Sequence, residues 1–178
     1  EERGVYKSTD GGESWARVLF IDDNTGVVDL AMDARDSGTL YATAHQVRRD
    51  GFSGGNPETM HGPGSGIYKT SDAGRNWKEL TRGLPAGDKG RIGLAVSQTD
   101  PEVVYAVVQT ATSVSGQRDP DVPPDPEPTP PRTMRDGGVF RSSDRGESWE
   151  WVNSINPRPF YYSQIRVDPS APDRVYVL

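Results

Sequence analysis

The chain of 178 residues has a formal charge of −6 and a pI near 4.9, with no basic run to displace counterions from phosphates, so nucleic acid is excluded as a partner. Its 33% hydrophobic content, with 20 Gly and 15 Pro, suits short strands joined by many turns and excludes a helical bundle. Zero cysteines exclude disulfides, thiolate metal sites and a cysteine nucleophile, and no apolar run reaches the roughly 18 residues of a membrane-spanning helix.

In chain order, a short strand after Gly4 leads into "YKSTDGGESW" at 6–15, followed by a second short strand. Next come "VVDLAMD" from Val27, the turn "ARDSG" and "TLYATA" up to Ala44. Residues 45–65 interrupt the pattern as a Gly-rich insertion, after which "GIYKT" and "NWKEL" flank the second box, "YKTSDAGRNW" at 68–77. The same series returns as "RIGLAVS", the turn "QTDPE", "VVYAVV", a Pro-rich insertion at 111–137, and a third box, "FRSSDRGESW" at 140–149. "SQIRVDP", the turn "PSAPD" and "RVYVL" close the chain. Period-two alternation of apolar residues predicts a strand with one buried face for each of these segments, and the Gly, Pro, Asp and Ser clusters between them predict tight turns.

The repeat is metrical. Gly4, Gly66 and Gly138 each stand eleven residues before Trp15, Trp77 and Trp149, and the boxes recur at distances of 62 and 72 residues. Four strands per repeat read as one propeller blade. The predicted fold is therefore all-β: a β-propeller fragment of about three four-stranded blades (half, two whole, half) over 1–178, completed by the remaining blades of a longer chain. Inside each box, Asp10, Asp72 and Asp144 are placed to accept backbone N–H bonds in a hairpin turn. Gly12, Gly74 and Gly146 suit positive φ, and Trp15, Trp77 and Trp149 are placed to pack back over the hairpin.

The pattern S-x-D-x-G-x-S-W behind Gly-aromatic strands resembles the Asp-box, or bacterial neuraminidase repeat. Families carrying it include sialidases, xyloglucan-cleaving glycoside hydrolases, photosystem assembly factors and sortilin-type receptor propellers. The stretch "NPRPFYYSQIRVDPSAPDRVYVL" resembles large secreted bacterial proteins described as sortilin-like or glycosyl-hydrolase-like. The resemblance implies a structural role for the box, and an extracytoplasmic or secreted location. A sialidase would also show an Arg-Ile-Pro element and a tyrosine-glutamate pair, and the nearest string, "PRPFYY", lacks that pattern.

Alternating strand direction places the boxes at one end of the sheets and both insertions at the other, where loops on a rigid scaffold carry function. Acids for glycoside hydrolysis are sought there: Asp22, Asp23, Asp29, Asp50, Glu58 and Asp88, of which Asp29 and Asp88 are retained as catalytic candidates. Arg158, Phe160, Tyr161 and Tyr162 are predicted to bind ligand by stacking and charge. His45 and His61 with Asp50 or Glu58 have too little metal-ligand spacing to define a site, and no metal or cofactor is expected. The leading expectation is a non-catalytic, sortilin-like binding segment for a protein, peptide or carbohydrate. The alternative is an accessory part of a secreted, xyloglucanase-like glycoside hydrolase.

Overall fold

The structure is a computed structural model and describes residues 2–48, 59–112, 133–157 and 159–178. Its strands, all paired antiparallel, are β1 (Val5–Lys7), β2 (Ala16–Leu19), β3 (Thr25–Met32), β4 (Leu40–Gln46), β5 (Gly66–Thr70) and β6 (Lys78–Leu80) in the first half. The second half holds β7 (Lys89–Val96), β8 (Val104–Thr110), β9 (Gly138–Ser142), β10 (Glu150–Asn153), β11 (Ile165–Asp168) and β12 (Ala171–Val177). They form a hairpin β1-β2, a sheet β3-β4-β5-β6, a sheet β7-β8-β9-β10 and a hairpin β11-β12.

These four layers stack in chain order, and each junction has its own apolar core. Val5 and Leu19 of the first hairpin pack with Ala42. Between the two large sheets lie Tyr41, Ile67, Leu80, Ile92, Leu94, Val104, Phe140 and Trp149. Val103, Tyr105, Val107 and Val139 meet Ile165 of the last hairpin. β8 explains its own composition. Val104, Ala106 and Val108 face one core and Tyr105 and Val107 the other, so the strand is apolar from Val104 to Val108, where both faces are buried. Burying a side chain such as Ile67 or Phe140 completely contributes about 1.5–3 kcal/mol each.

Polar bonds pin the two large sheets together. The Thr43 hydroxyl donates to the Ile92 carbonyl at 2.8 Å, and the Leu94 N–H donates to the Asp29 carboxylate at 3.1 Å. On the far side of β7, Gly93 lies so close to the last hairpin that a Cβ would collide with the Ser163 carbonyl.

The sheets stay open. β1 and β12 keep unpaired edges among the described residues, and no ring of sheets forms. The expected β-propeller fragment is corrected to an all-β stack of open antiparallel sheets. Strand alternation determines which neighbours hydrogen-bond within a sheet, and the error lay in extending it to how successive sheets are set about an axis. The insertion assigned to 45–65 begins inside β4, which runs to Gln46, and 49–58 lie outside the described residues. Of 111–137, residues 113–132 lie outside them as well. The remainder ends in a 3-10 turn, Met134–Asp136, capped by the Thr133 hydroxyl.

Candidate functional site

The box is built from its serine or threonine as much as from its aspartate. Ser8, Thr70 and Ser142 donate to Asp10, Asp72 and Asp144 at 2.7, 2.8 and 2.7 Å. The same hydroxyls accept the N–H of Gly12, Gly74 and Gly146 at 2.8, 3.0 and 2.8 Å. Each aspartate then accepts the backbone N–H four residues on, from Ser14, Asn76 and Ser148 at 3.0, 2.9 and 2.8 Å, and also that residue's side chain. These bonds use the carboxylate oxygens within the turn. They hold Asp10 well below the usual carboxylate range, chiefly through the Ser14 hydroxyl, and lower Asp72 to about 2, chiefly through the Asn76 N–H. At Asp144 burial pushes the pKa up, yet the Ser148 and Ser142 bonds prevail and leave it at about 2.

The boxes also carry contacts between layers. The Tyr41 hydroxyl donates to the Arg145 carbonyl at 3.0 Å, Lys7 donates to the Ala73 carbonyl at 3.0 Å, and Glu147 pairs with Lys69 and Lys78 at 2.9 Å each. Trp149 is buried, whereas Trp15, on the outer hairpin, is exposed and donates its indole N–H to the Gly12 carbonyl at 3.0 Å.

The opposite end of the sheets gathers a different set of residues. The entry to β3 brings Val28, the exit of β4 brings His45 and Val47, and the first residues of β7 bring Arg91. The loop between β10 and β11 brings Phe160 and Tyr161, and together these six line a groove of about 250 Å³. Phe160 meets Tyr161 edge to face at 5.1 Å, and Tyr161 lies 6.5 Å from Tyr162. Arg158 lies outside the described residues.

A hydrogen-bonded chain ties this loop to the sheets. Arg91 Nε donates to the Tyr162 carbonyl at 3.2 Å, its backbone N–H donates to Gln109 Oε1 at 3.0 Å, and Gln109 Nε2 donates to His61 Nε2 at 3.1 Å. His45 Nε2 lies 3.0 Å from the Met60 carbonyl, which can only accept, so this nitrogen carries the proton and Nδ1 keeps its lone pair in the neutral ring. Burial lowers the His45 pKa, and the positive charge of Arg91 works in the same direction against the Met60 bond. The groove thus offers donors from Arg91, an acceptor on His45 and aromatic surface.

The predicted acids are not brought together. Both Asp29 oxygens accept backbone N–H groups, from Leu30 at 3.0 Å and Leu94 at 3.1 Å. Asp88 precedes β7, six residues from Leu94, on the order of 20 Å along a strand. That far exceeds the roughly 5 to 9.5 Å between paired catalytic carboxyls. Asp22 is held by the Asn24 N–H at 2.7 Å and the Thr25 hydroxyl at 2.9 Å, Asp23 is exposed, and Asp50 and Glu58 lie outside the described residues. Asp88 instead shares a cavity of about 380 Å³ with Glu79 and Lys89. Glu79, Arg91 and Gln109 escaped the sequence reading because a charge or amide on an alternating strand is indistinguishable from a solvated face. Alternation along "KGRIG" is the one signal that sets Arg91 apart from its apolar neighbour Ile92.

Fold and groove together define an all-β protein with an aromatic-lined cleft of about 250 Å³ at the loop end of its sheets. No family model matches the chain. Over 176 residues, 97% of this chain, it is 26% identical to a probable oligoxyloglucan-reducing end-specific xyloglucanase of Neosartorya fischeri. Over 99% of the chain it is 24% identical to an oligoxyloglucan-reducing end-specific xyloglucanase of Emericella nidulans. Among solved structures, the GH74 xyloglucanase of Xanthomonas campestris matches 96% of the chain with a TM-score of 0.60 at 20% identity. The Niastella koreensis GH74 enzyme matches 98% with a TM-score of 0.61 at 17% identity. The chain spans 17% and 23% of the length of the two curated relatives, and 22% and 24% of the two solved ones.

These likenesses correct two expectations. The Asp-box repeat family and the sortilin-like class give way to a likeness to GH74 xyloglucanases, and the non-catalytic sortilin-like function loses its basis with them. The physical reason lies in the box itself: its residues are accounted for by local hydrogen bonds in a turn, so the motif reports a way of closing a hairpin and carries no information about activity.

Proposed function

We propose that the chain is a segment of a carbohydrate-active enzyme related to the xyloglucanases, and that its loop-end groove holds sugar residues of a β-glucan chain. The observation that supports this is the cleft in which Phe160 and Tyr161 stand beside Arg91 and His45. Aromatic surface takes the apolar face of a sugar ring while a few convergent polar groups orient its hydroxyls. Its volume of about 250 Å³ falls just below the roughly 300–1,000 Å³ of drug-sized ligand sites, which suits one ring of a longer chain. The reading places the protein outside the cytoplasm, where such polysaccharides are met.

Hydrolysis requires a carboxylic acid and a carboxylate on either side of the scissile bond. Within the same proposal Asp88 and Glu79, which line one cavity, are the acids contributed by this segment. The test is turnover of xyloglucan oligosaccharides by the full-length protein, with Asp88→Asn and Glu79→Gln assayed beside it. Turnover lost in either variant supports the assignment. Turnover unchanged in both removes these acids from the reaction, and a full-length protein that neither binds nor cleaves xyloglucan contradicts the proposal.

A further inference from the structure

We propose that the Arg91 end of the groove is a subsite for a carboxylate-bearing sugar, a uronic acid unit within a polysaccharide. The inference rests on the carbohydrate reading above and adds the charge of the ligand to it.

Charge is the first argument. The chain carries −6 overall, yet the described residues lining this groove are Val28, His45, Val47, Arg91, Phe160 and Tyr161, with the Arg91 cation, a neutral imidazole and no carboxylate. Three other arginines of this acidic chain meet acids, Arg141 with Asp173 at 3.5 Å, Arg145 with Asp33 at 3.9 Å and Arg174 with Asp168 at 3.0 Å, while Arg3 and Arg35 are held by the Asn24 and Thr99 carbonyls outside this groove. Arg91 has no such partner among the described residues.

Geometry is the second. The Nε–H of Arg91 is held by the Tyr162 carbonyl at 3.2 Å, and its backbone is held by Gln109, so the guanidinium plane is anchored at one corner. Its Nη groups form no hydrogen bond among the described residues, and a fork of parallel N–H donors is the geometry that matches a carboxylate through two bonds. A neutral sugar offers hydroxyls to this fork and leaves the charge uncompensated; a uronate satisfies both. Phe160 and Tyr161 stand beside it for the ring of the same unit.

Field is the third. Burial is the larger cause that lowers the His45 pKa, and Arg91 and His61 lower it further, while no carboxylate acts on it from the described residues. Among the described residues that line the groove Arg91 is thus the one full charge, and an anion entering supplies its counter-charge.

The experiment compares two ligands that differ at a single C6, a carboxylate in cellobiouronate and a hydroxymethyl group in cellobiose, by saturation-transfer NMR titration of the full-length protein at low and high salt. The expected result is about tenfold tighter binding of the acid, from its charge-assisted bonds, with the advantage shrinking as salt rises. Arg91→Gln should remove the advantage by weakening the acid far more than cellobiose, and Arg91→Lys should restore part of it. Equal affinity of both ligands for the wild type overturns the subsite and leaves the carbohydrate reading standing. An acid preference that survives in Arg91→Gln overturns the assignment to Arg91. If neither ligand nor a xyloglucan oligosaccharide binds, the carbohydrate reading itself fails and this inference with it.

Discussion

Within each box a single hydroxyl does two jobs, donating to the aspartate and accepting from the glycine, so Thr70 stands at the centre of its turn. Thr70→Val keeps the shape and removes both bonds, leaving the Gly74 N–H buried without a partner. The expected loss is about 1–3 kcal/mol, measured by denaturant unfolding. The aspartates add a pH dependence with a definite sign. Asp72 is lowered from an ordinary 3.8 to about 2, so its stabilising bonds are complete above the ordinary value and are lost as pH falls through about 2. The difference in melting temperature between wild type and Asp72→Asn should therefore be widest above pH 4 and narrow toward pH 2. A gap independent of pH would show that the carboxylate charge is not what the turn uses. At the neighbouring position, Ala73 and Arg145 take φ of 60° and 59° where the first box has Gly11 at 76°. Ala73→Gly relieves left-handed strain, although the greater freedom of glycine in the unfolded chain offsets part of that gain.

Strands and turns were largely legible in the residues, because a half-buried strand must alternate and a tight turn must use Gly, Asp or Pro. "VVYAVV" is apolar without interruption, and β8 is indeed the strand with cores on both faces. What alternation could not reveal is which layer covers a given face. Leu30 and Met32 read as inward positions of a strand, yet both are exposed. The three tryptophans show the same limit: they occupy equivalent places, but Trp149 is 4% exposed between two sheets and Trp15 is 63% exposed on the outer hairpin. Trp149→Ala should cost about 3–5 kcal/mol, as truncations of buried aromatics do. Trp15→Ala should cost far less, since most of that ring already meets water. Equal losses in chemical denaturation would contradict the stacked order of the layers. The groove was legible only in part. The "PRPFYY" loop announces its aromatics in the sequence, whereas Arg91 reaches the Tyr162 carbonyl across 71 residues, a pairing that no local pattern encodes.

Across the whole molecule the antiparallel stack separates two kinds of chemistry. Turn-closing boxes and the ion pairs of Glu147 sit at one end of the sheets. The aromatic groove, Arg91 and the cavity shared by Asp88 and Glu79 sit at the other. The repeat that dominates the sequence thus closes turns, and a motif shared by several families does not discriminate among their functions. The most direct test of this polarity is the affinity of the full-length protein for a xyloglucan oligosaccharide, measured by calorimetry for the wild type, Tyr161→Ala and Asp10→Asn. The account predicts that Tyr161→Ala weakens binding by up to about tenfold, as loss of one stacking ring does, while Asp10→Asn binds as the wild type. Binding abolished in Asp10→Asn and intact in Tyr161→Ala would place the ligand at the box end and contradict it.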